Sequence, residues 1–513
     1  MLARLRSAAT LGIDAYMVEV EVDLANGLPS FATVGLPNGA VKEGRERVSA
    51  ALVNSGFEFP LQRITVNLAP ADIRKDGSAF DLPIALGVLA ASGQVPAGAL
   101  EGAVFLGELG LQGDLRPIRG ALSMALAALE AGAARLVVPA ANLAEAAVVG
   151  RMDILGATSL GQVIGHLRGT APIPPARGGP GIPLNGNGGS EPADFADVRG
   201  QRAAKRALEI AAAGAHNILL IGPPGAGKTM LARRLPSILP ALTLDEAIEI
   251  TRIHSVAGLL APGAALVGSR PFRAPHHTIS DAGLVGGGPV PRPGEISLAH
   301  GGVLFLDELP EFHRHVLEVL RQPLEDGVVT LSRAAARLTF PARFSLVAAM
   351  NPCPCGHLGH PVRSCACGPV LINRYLARIS APLLDRIDIH LRVPALPFSD
   401  LVGGAESEPS AAVRERVEGA RARQRERFGE RAGVRANGHL SSREVRRHCP
   451  QTPEIAALLR TAVERLGLSA RGCYRVLKVA RTIADLAGGG PVAGAHVREA
   501  LQYRSLDRTP ASV

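Results

Sequence analysis

The chain has no tryptophan, and aromatic residues make up only 3% of it. Recognition of single-stranded nucleic acid by base stacking needs a row of aromatic faces, so that mode is disfavoured at the outset. Cysteine is scarce as well, with 6 in 513 residues. Four of them crowd into one short window, which argues against a disulfide framework and for an intracellular metal or structural site. Long apolar runs are missing. The longest, Ala79 to Val95, contains Asp81 and Pro83 and is too short to cross a bilayer, so it reads as a buried helix. Met1 to Asp14 lack the apolar core of a secretory signal. The expectation is a cytoplasmic protein with no membrane partner.

Apolar residues, in contrast, reach 47%, and a chain of this length predicts about two to four domains. The formal charge of +9, from 55 Lys+Arg against 46 Asp+Glu, permits a polyanionic partner without demanding one, because Arg, Ala and Gly are abundant throughout.

Organisation follows from pattern. Over residues 1–168, period-two alternation at Tyr16–Val22, a short strand at Arg63–Leu68 and a core strand at Arg135–Pro139 flank helical stretches at Phe80–Ser92 and Gly120–Ala131, giving an α/β unit. Residues 169–194 are dense in Pro, Gly and Asn and read as a linker. Strand, Gly-rich loop and helix then repeat over 195–393 in the manner of a parallel sheet. A second Pro/Gly-rich break covers 394–410. The remainder, 411–507, is helical, with Ala411–Arg431, Glu454–Leu466 and Tyr474–Leu486 as its helices.

The chemistry is concentrated in the middle unit. Asn217–Ile221 is an apolar strand running into Gly222, Pro223, Pro224, Gly225, Ala226, Gly227, Lys228 and Thr229. This is a G-x-x-x-x-G-K-[ST] loop with a strand before and a helix after, the context that lets backbone N–H groups and a helix dipole cradle phosphates. Lys228 is expected at the β- and γ-phosphates of ATP and Thr229 at Mg²⁺. A second buried strand, Val303–Leu306, ends in Asp307 for the metal and Glu308 to polarise the attacking water. Cys353, Cys355, Cys365 and Cys367 form C-x-C-x9-C-x-C, a set of soft thiolates suited to tetrahedral Zn²⁺. His357 or His360 replacing one cysteine, or four free thiols, are the alternatives. Cys449 and Cys473 read as ordinary buried thiols.

These motifs resemble AAA+ ATPases. Within that class, Asn351 at the end of the strand Leu346–Met350 resembles the first sensor. Arg386 in LLDRID resembles the arginine finger offered to a neighbouring subunit, with Arg378 as the second choice. Arg471 in Ser469–Arg471 resembles the second sensor at the γ-phosphate. The segments DVRGQ (Asp197–Gln201), RPFRAPHHTISDAGLVGGG (Arg270–Gly288), PRPGEISLAHGGVLFLDELPEF (Pro291–Phe312) and RVLKVARTIADL (Arg475–Leu486) are similar to the magnesium-chelatase-like branch. Nearly the whole chain resembles its ComM/YifB-type members. KDGSAFDLPIALGVLAASG (Lys75–Gly93) and the stretch Leu106–Gly132 resemble the Lon-protease/S5-like domain that precedes the motor in that family.

The resemblance implies an α/β N-terminal Lon-protease/S5-like domain, a central AAA+ parallel-sheet domain with a Cys-rich insert at 353–367, and a C-terminal helical lid. It further implies a hexameric ATP-driven DNA motor that moves branched or single-stranded DNA during natural transformation, without sequence preference. Where the related protease places its Ser–Lys dyad, this chain reads Ala79-Phe80-Asp81 and Gly120-Ala121-Leu122, and the spacing of Lys75 and Ser78 does not match, so a non-proteolytic scaffold is expected. Val328–Arg343 reads as two strands around a basic tip. It resembles the hairpin that projects into the channel of ring ATPases, where Arg333 and Arg337 would grip phosphates; a solvated hairpin is the equal alternative. His276–His277 is expected to be structural. Rival readings are a magnesium-chelatase motor subunit and a protein-remodelling AAA+ ATPase.

Overall fold

Strict alternation of buried and exposed side chains builds the first sheet. In β1 (Leu2–Leu11), Ala3, Leu5 and Ser7 face inward while Leu2, Arg4 and Arg6 face solvent. It pairs antiparallel with β2 (Asp14–Ala25). With β3 (Ser30–Val34), β4 (Arg63–Ala69), β5 (Ala103–Phe105), β6 (Arg135–Pro139) and β7 (Asp153–Ala157) these strands form a seven-stranded mixed sheet in the order β3-β4-β2-β1-β5-β6-β7. Helix α1 (Gly39–Asn54) and the fully buried α2 (Asp81–Ala91) share one apolar cluster with Val18, Val20 and Val22 of β2. A second cluster joins α3 (Ala121–Glu130) to Val104, Leu136 and Ile154. Helix α4 (Leu160–Leu167) closes this unit. This computed structural model describes residues 1–176, 193–288, 291–333, 336–395, 407–429 and 434–504. Most of the expected linkers at 169–194 and 394–410, and residues 505–507 of the expected lid, therefore lie outside the described residues.

The second sheet is parallel throughout. Its strands are β8 (Ile218–Ile221), β9 (Phe272–Arg273), β10 (Val303–Leu306), β13 (Ser345–Met350) and β14 (Ile389–Arg392), in the order β9-β10-β13-β8-β14. Between β10 and β13 the chain makes a separate antiparallel hairpin, β11 (Val328–Arg333) with β12 (Ala336–Pro341). Strands β8, β10 and β13 are wholly buried, as continuous apolar runs in a parallel sheet should be. Because every strand points the same way, their carboxyl-terminal ends lie along one edge, the usual ligand edge of such sheets.

Helices α5 (Arg202–Gly214) and α6 (Lys228–Ile238) share a continuous apolar cluster with the C-terminal helices α8 (Ser410–Phe428), α9 (Ser442–His448), α10 (Pro453–Leu466), α11 (Ala470–Leu486) and α12 (Gly494–Gln502). Gln424 of α8 clamps this junction, donating to Ala213 O at 2.9 Å and accepting from Asn437 N at 2.9 Å. Between α6 and β9, α7 (Leu244–Ala257) meets the first unit. Its Ser255 Oγ accepts from Gly120 N at 2.8 Å, and Arg252 donates to Ile13 O at 3.1 Å. Among the described residues no helix is long and apolar enough to cross a membrane.

Candidate functional site

The loop from Gly222 to Gly227 connects β8 to α6, so its backbone sits at the carboxyl-terminal edge of the sheet and at a helix N-terminus. Gly225 and Gly227 adopt φ of +78° and +85°, a region that side-chain-bearing residues rarely occupy. Lys228 Nζ folds back over this loop. It donates to Gly222 O (2.7 Å), Pro223 O (2.9 Å) and Asn351 Oδ1 (3.1 Å). Burial lowers its pKa, opposed by Asp307 and Glu308. Thr229 Oγ1 donates to Asp307 Oδ2 at 2.7 Å, and Asp307 Oδ1 accepts the Glu308 N–H at 3.0 Å. Three strands thus deliver their terminal residues to one cavity of about 410 Å³, lined by Pro224–Met230, Asp307, Glu308, Met350 and Asn351. Its polar groups suit a polyphosphate and a hard cation.

Two contacts at this cavity had no signature in the sequence. Glu308 holds a left-handed backbone, φ +52°, a conformation costly for a residue with a side chain and common at functional sites. Its carboxylate lies 3.5 Å from His277 Nδ1, a residue the sequence suggested only as structural. Gln201 Nε2 braces the loop from below by donating to Ala226 O (3.3 Å) and Pro394 O (3.0 Å).

The four clustered cysteines converge. Their Sγ atoms all lie within 4.8 Å of one another, and the separations Cys353–Cys355, Cys353–Cys365 and Cys355–Cys365 are 3.4, 3.6 and 3.6 Å. Four sulfurs at about 2.3 Å from a tetrahedral Zn²⁺ would stand roughly 3.8 Å apart, so the donor set fits that ion. The cluster also abuts the phosphate loop. A Cβ on Gly356, at φ +81°, would fall 2.5 Å from Pro224 Cδ.

The arginines sort differently. Arg386 precedes β14 and so lies at the amino-terminal edge of the sheet, where Ile389 is in register with Ile218. Four residues of strand, about 13 Å, separate that edge from the phosphate loop. Arg386 is buried, paired with Glu325 at 2.6 Å, and lines a separate cavity of about 540 Å³. Arg471 is exposed in the first turn of α11 and is absent from the lining of the Lys228 cavity; its charge helps hold Glu325 ionised, after that of Arg386. Within one chain, neither arginine joins the phosphate loop. Arg378 pairs with Glu311 at 2.9 Å. Arg337 is exposed on β12, while the Arg333 side chain lies outside the described residues. In the first unit, Ser78 donates to Glu108, and the buried Lys75 Nζ makes no hydrogen bond among the described residues.

A parallel sheet ordered in this way, with a phosphate loop and strand-terminal acids converging on one cavity, defines an AAA+-type nucleotide-binding protein of the magnesium-chelatase class. Three family models match accordingly: subunit ChlI of Mg-chelatase over residues 20–142, magnesium chelatase subunit ChlI over 194–401, and its C-terminal part over 407–504. The chain is 48% identical over 511 residues to competence protein ComM of Haemophilus influenzae, covering 99% of this chain and 98% of that protein. It is 45% identical over 511 residues to the uncharacterized protein YifB of Escherichia coli, with the same coverage of 99% and 98%. A shorter likeness, 34% over 164 residues, is to Lon protease 2 of Bacillus subtilis, covering 28% of this chain and 27% of that one. The chain belongs to the ComM/YifB family of magnesium-chelatase-like AAA+ proteins.

Proposed function

We propose that this chain is an ATP-hydrolysing, hexameric DNA motor, a branch-migration helicase that works as single-stranded DNA is integrated during natural transformation. The observation that carries the proposal is the convergence of Lys228, Thr229, Asp307, Glu308 and Asn351 on one cavity, in a chain akin over nearly its full length to a protein named for competence. Lys228 and the loop amides bind the β- and γ-phosphates. Glu308 accepts a proton from the attacking water, and Asn351 orients that water while sharing Lys228. Thr229 and Asp307 would hold Mg²⁺, which neutralises charge on the phosphate oxygens when bound.

Arg386 completes the site of a neighbouring subunit, and Arg471 approaches the same neighbour. Their place at the opposite sheet edge supports action across an interface. Arg333 and Arg337 on the hairpin grip the DNA backbone without reading bases. The four cysteines would hold a structural Zn²⁺, and the first unit is a non-proteolytic scaffold. Lys228→Ala tests the scheme: the variant should neither hydrolyse ATP nor move a branched DNA junction, and junction movement by it would refute the mechanism.

The family models favour one other reading, a magnesium-chelatase motor subunit. Metal insertion into a porphyrin with chelatase partner subunits would establish it; ATPase turnover raised by DNA and not by porphyrin would exclude it.

A further inference from the structure

At the amino-terminal edge of the parallel sheet, opposite the phosphate loop, a second and smaller cavity lies between the ATPase core and the C-terminal helices. The core contributes Arg270, His300 and Arg343, and the C-terminal part contributes Arg421, Arg435 and His439. The floor is formed by Gly301 and Gly302 just before β10 and by Ser345 opening β13.

The charges around this cavity do not balance. Glu246 pairs with Arg270 at 2.9 Å and with Arg435 at 3.6 Å. Glu249 takes Arg435 at 3.1 Å and His300 at 3.3 Å. Arg343 and Arg421 are left with no carboxylate among the described residues. Arg421 spends its terminal nitrogens on the carbonyls of Arg435 and Ala212, both at 3.1 Å. Its Nε, and Nδ1 of His439, are buried and make no hydrogen bond among the described residues. His300 cannot relieve the excess, because its Nδ1 already accepts the Arg343 N–H at 3.0 Å. Burial, followed by the charge of Arg270, draws the Arg421 pKa down to about 9. Burial and Arg421 hold His439 down to about 3, so it is neutral and free to offer Nδ1–H.

A guanidinium whose Nε is buried and that has no paired carboxylate, as at Arg421, is costly, and a missing anion is the simplest remedy. The cavity measures about 60 Å³. At roughly 10–15 Å³ per water-sized sphere, that is room for about five heavy atoms, the number in a tetrahedral oxyanion.

We propose that this cavity is a binding site for a free tetrahedral oxyanion, inorganic phosphate or its sulfate analogue, held jointly by Arg343 of the core and Arg421 and His439 of the C-terminal helices. Because its ligands come from both parts, occupancy tightens the helical part onto the core at the sheet edge remote from ATP. The site is independent of the reading given to the Lys228 cavity.

The test uses the full chain with the phosphate loop filled by Mg²⁺ and a non-hydrolysable ATP analogue, so that added phosphate cannot report that loop. Thermal melting is followed as phosphate, then sulfate, replaces chloride at constant ionic strength. Both oxyanions should raise Tm, by about 2 °C at ten times the half-saturating concentration. Arg343→Gln and Arg421→Gln should abolish the shift, while Arg460→Gln, on the exposed face of α10, keeps it. The ³¹P resonance of phosphate should also broaden with the unaltered protein and sharpen on adding sulfate, a readout that does not depend on any variant folding. Equal melting in phosphate and chloride, or a shift surviving in both variants, would overturn the proposal. So would a shift dependent on Arg421 that an oligonucleotide produces and free phosphate does not.

Discussion

Arg386 is held 2.6 Å from Glu325, at the edge of the sheet opposite the phosphate loop of its own chain. A strand length of about 13 Å lies between them, so an arginine finger at this position serves another copy. Arg386→Ala should leave ATP binding intact and lower hydrolysis by about 1,000-fold, the usual range for an arginine finger. Mixing Arg386→Ala with Lys228→Ala chains creates some interfaces with both residues present, and activity should partly return. A mixture as inactive as its components would place the arginine's action within one chain.

The seating of Gly356 of the cysteine knuckle on Pro224 of the phosphate loop predicts that metal and nucleotide binding influence each other. Gly356→Ala places a methyl group 2.5 Å from Pro224 Cδ on a backbone at φ +81°, and ATP affinity should drop roughly tenfold, about 1.4 kcal/mol. Stripping Zn²⁺ with a chelator should lower it in the same direction, and Cys355→Ser with Cys365→Ser should prevent metal loading. Less than half an equivalent of zinc in reduced, chelator-free protein would show that the cysteines do not hold a structural Zn²⁺.

Acid should loosen the junction between the core and the C-terminal helices through Glu249. The hydrogen bond from His300, aided by the Arg435 charge, holds this carboxyl at about 2 against an ordinary 4.5. A depressed folded-state value means the stabilisation is complete above about pH 4.5 and is lost as pH falls toward 2. The difference in Tm between the unaltered chain and Glu249→Gln should therefore shrink from about pH 6 to about pH 3. A constant difference would show that Glu249 acts only by packing.

The basic hairpin gives a prediction about salt. Arg337→Ala should spare basal ATP hydrolysis, weaken single-stranded DNA binding, and reduce the slope of log affinity against log salt by about 0.7. An unchanged slope would make the hairpin a solvated feature.

The sequence revealed most where local patterns are strict. The phosphate loop and the strand-terminal acids were readable because chemistry fixes both residue type and spacing, and Leu346–Met350 because a buried parallel strand is uniformly apolar. Strand β1 carried little such sign: apart from Leu5 its inward positions are the small or polar Ala3, Ser7, Ala8 and Ala9, while Leu2 faces solvent. The meeting of His277 with Glu308, the seating of Gly356 on Pro224 and the placement of Arg386 at the far edge depend on packing between distant segments. No local spacing encodes those. The unbalanced cluster of Arg343 and Arg421 likewise exists only once α8 has docked on the core.

If the chain is a DNA motor, ATP hydrolysis at Lys228 is coupled to a sequence-indifferent electrostatic grip on DNA. The most direct measurement is the rate of ATP hydrolysis with and without single-stranded DNA across a series of salt concentrations. DNA of any sequence should stimulate hydrolysis, with an effect that falls steeply as salt rises and is absent in Lys228→Ala. Turnover that ignores DNA at every salt concentration would contradict this coupling.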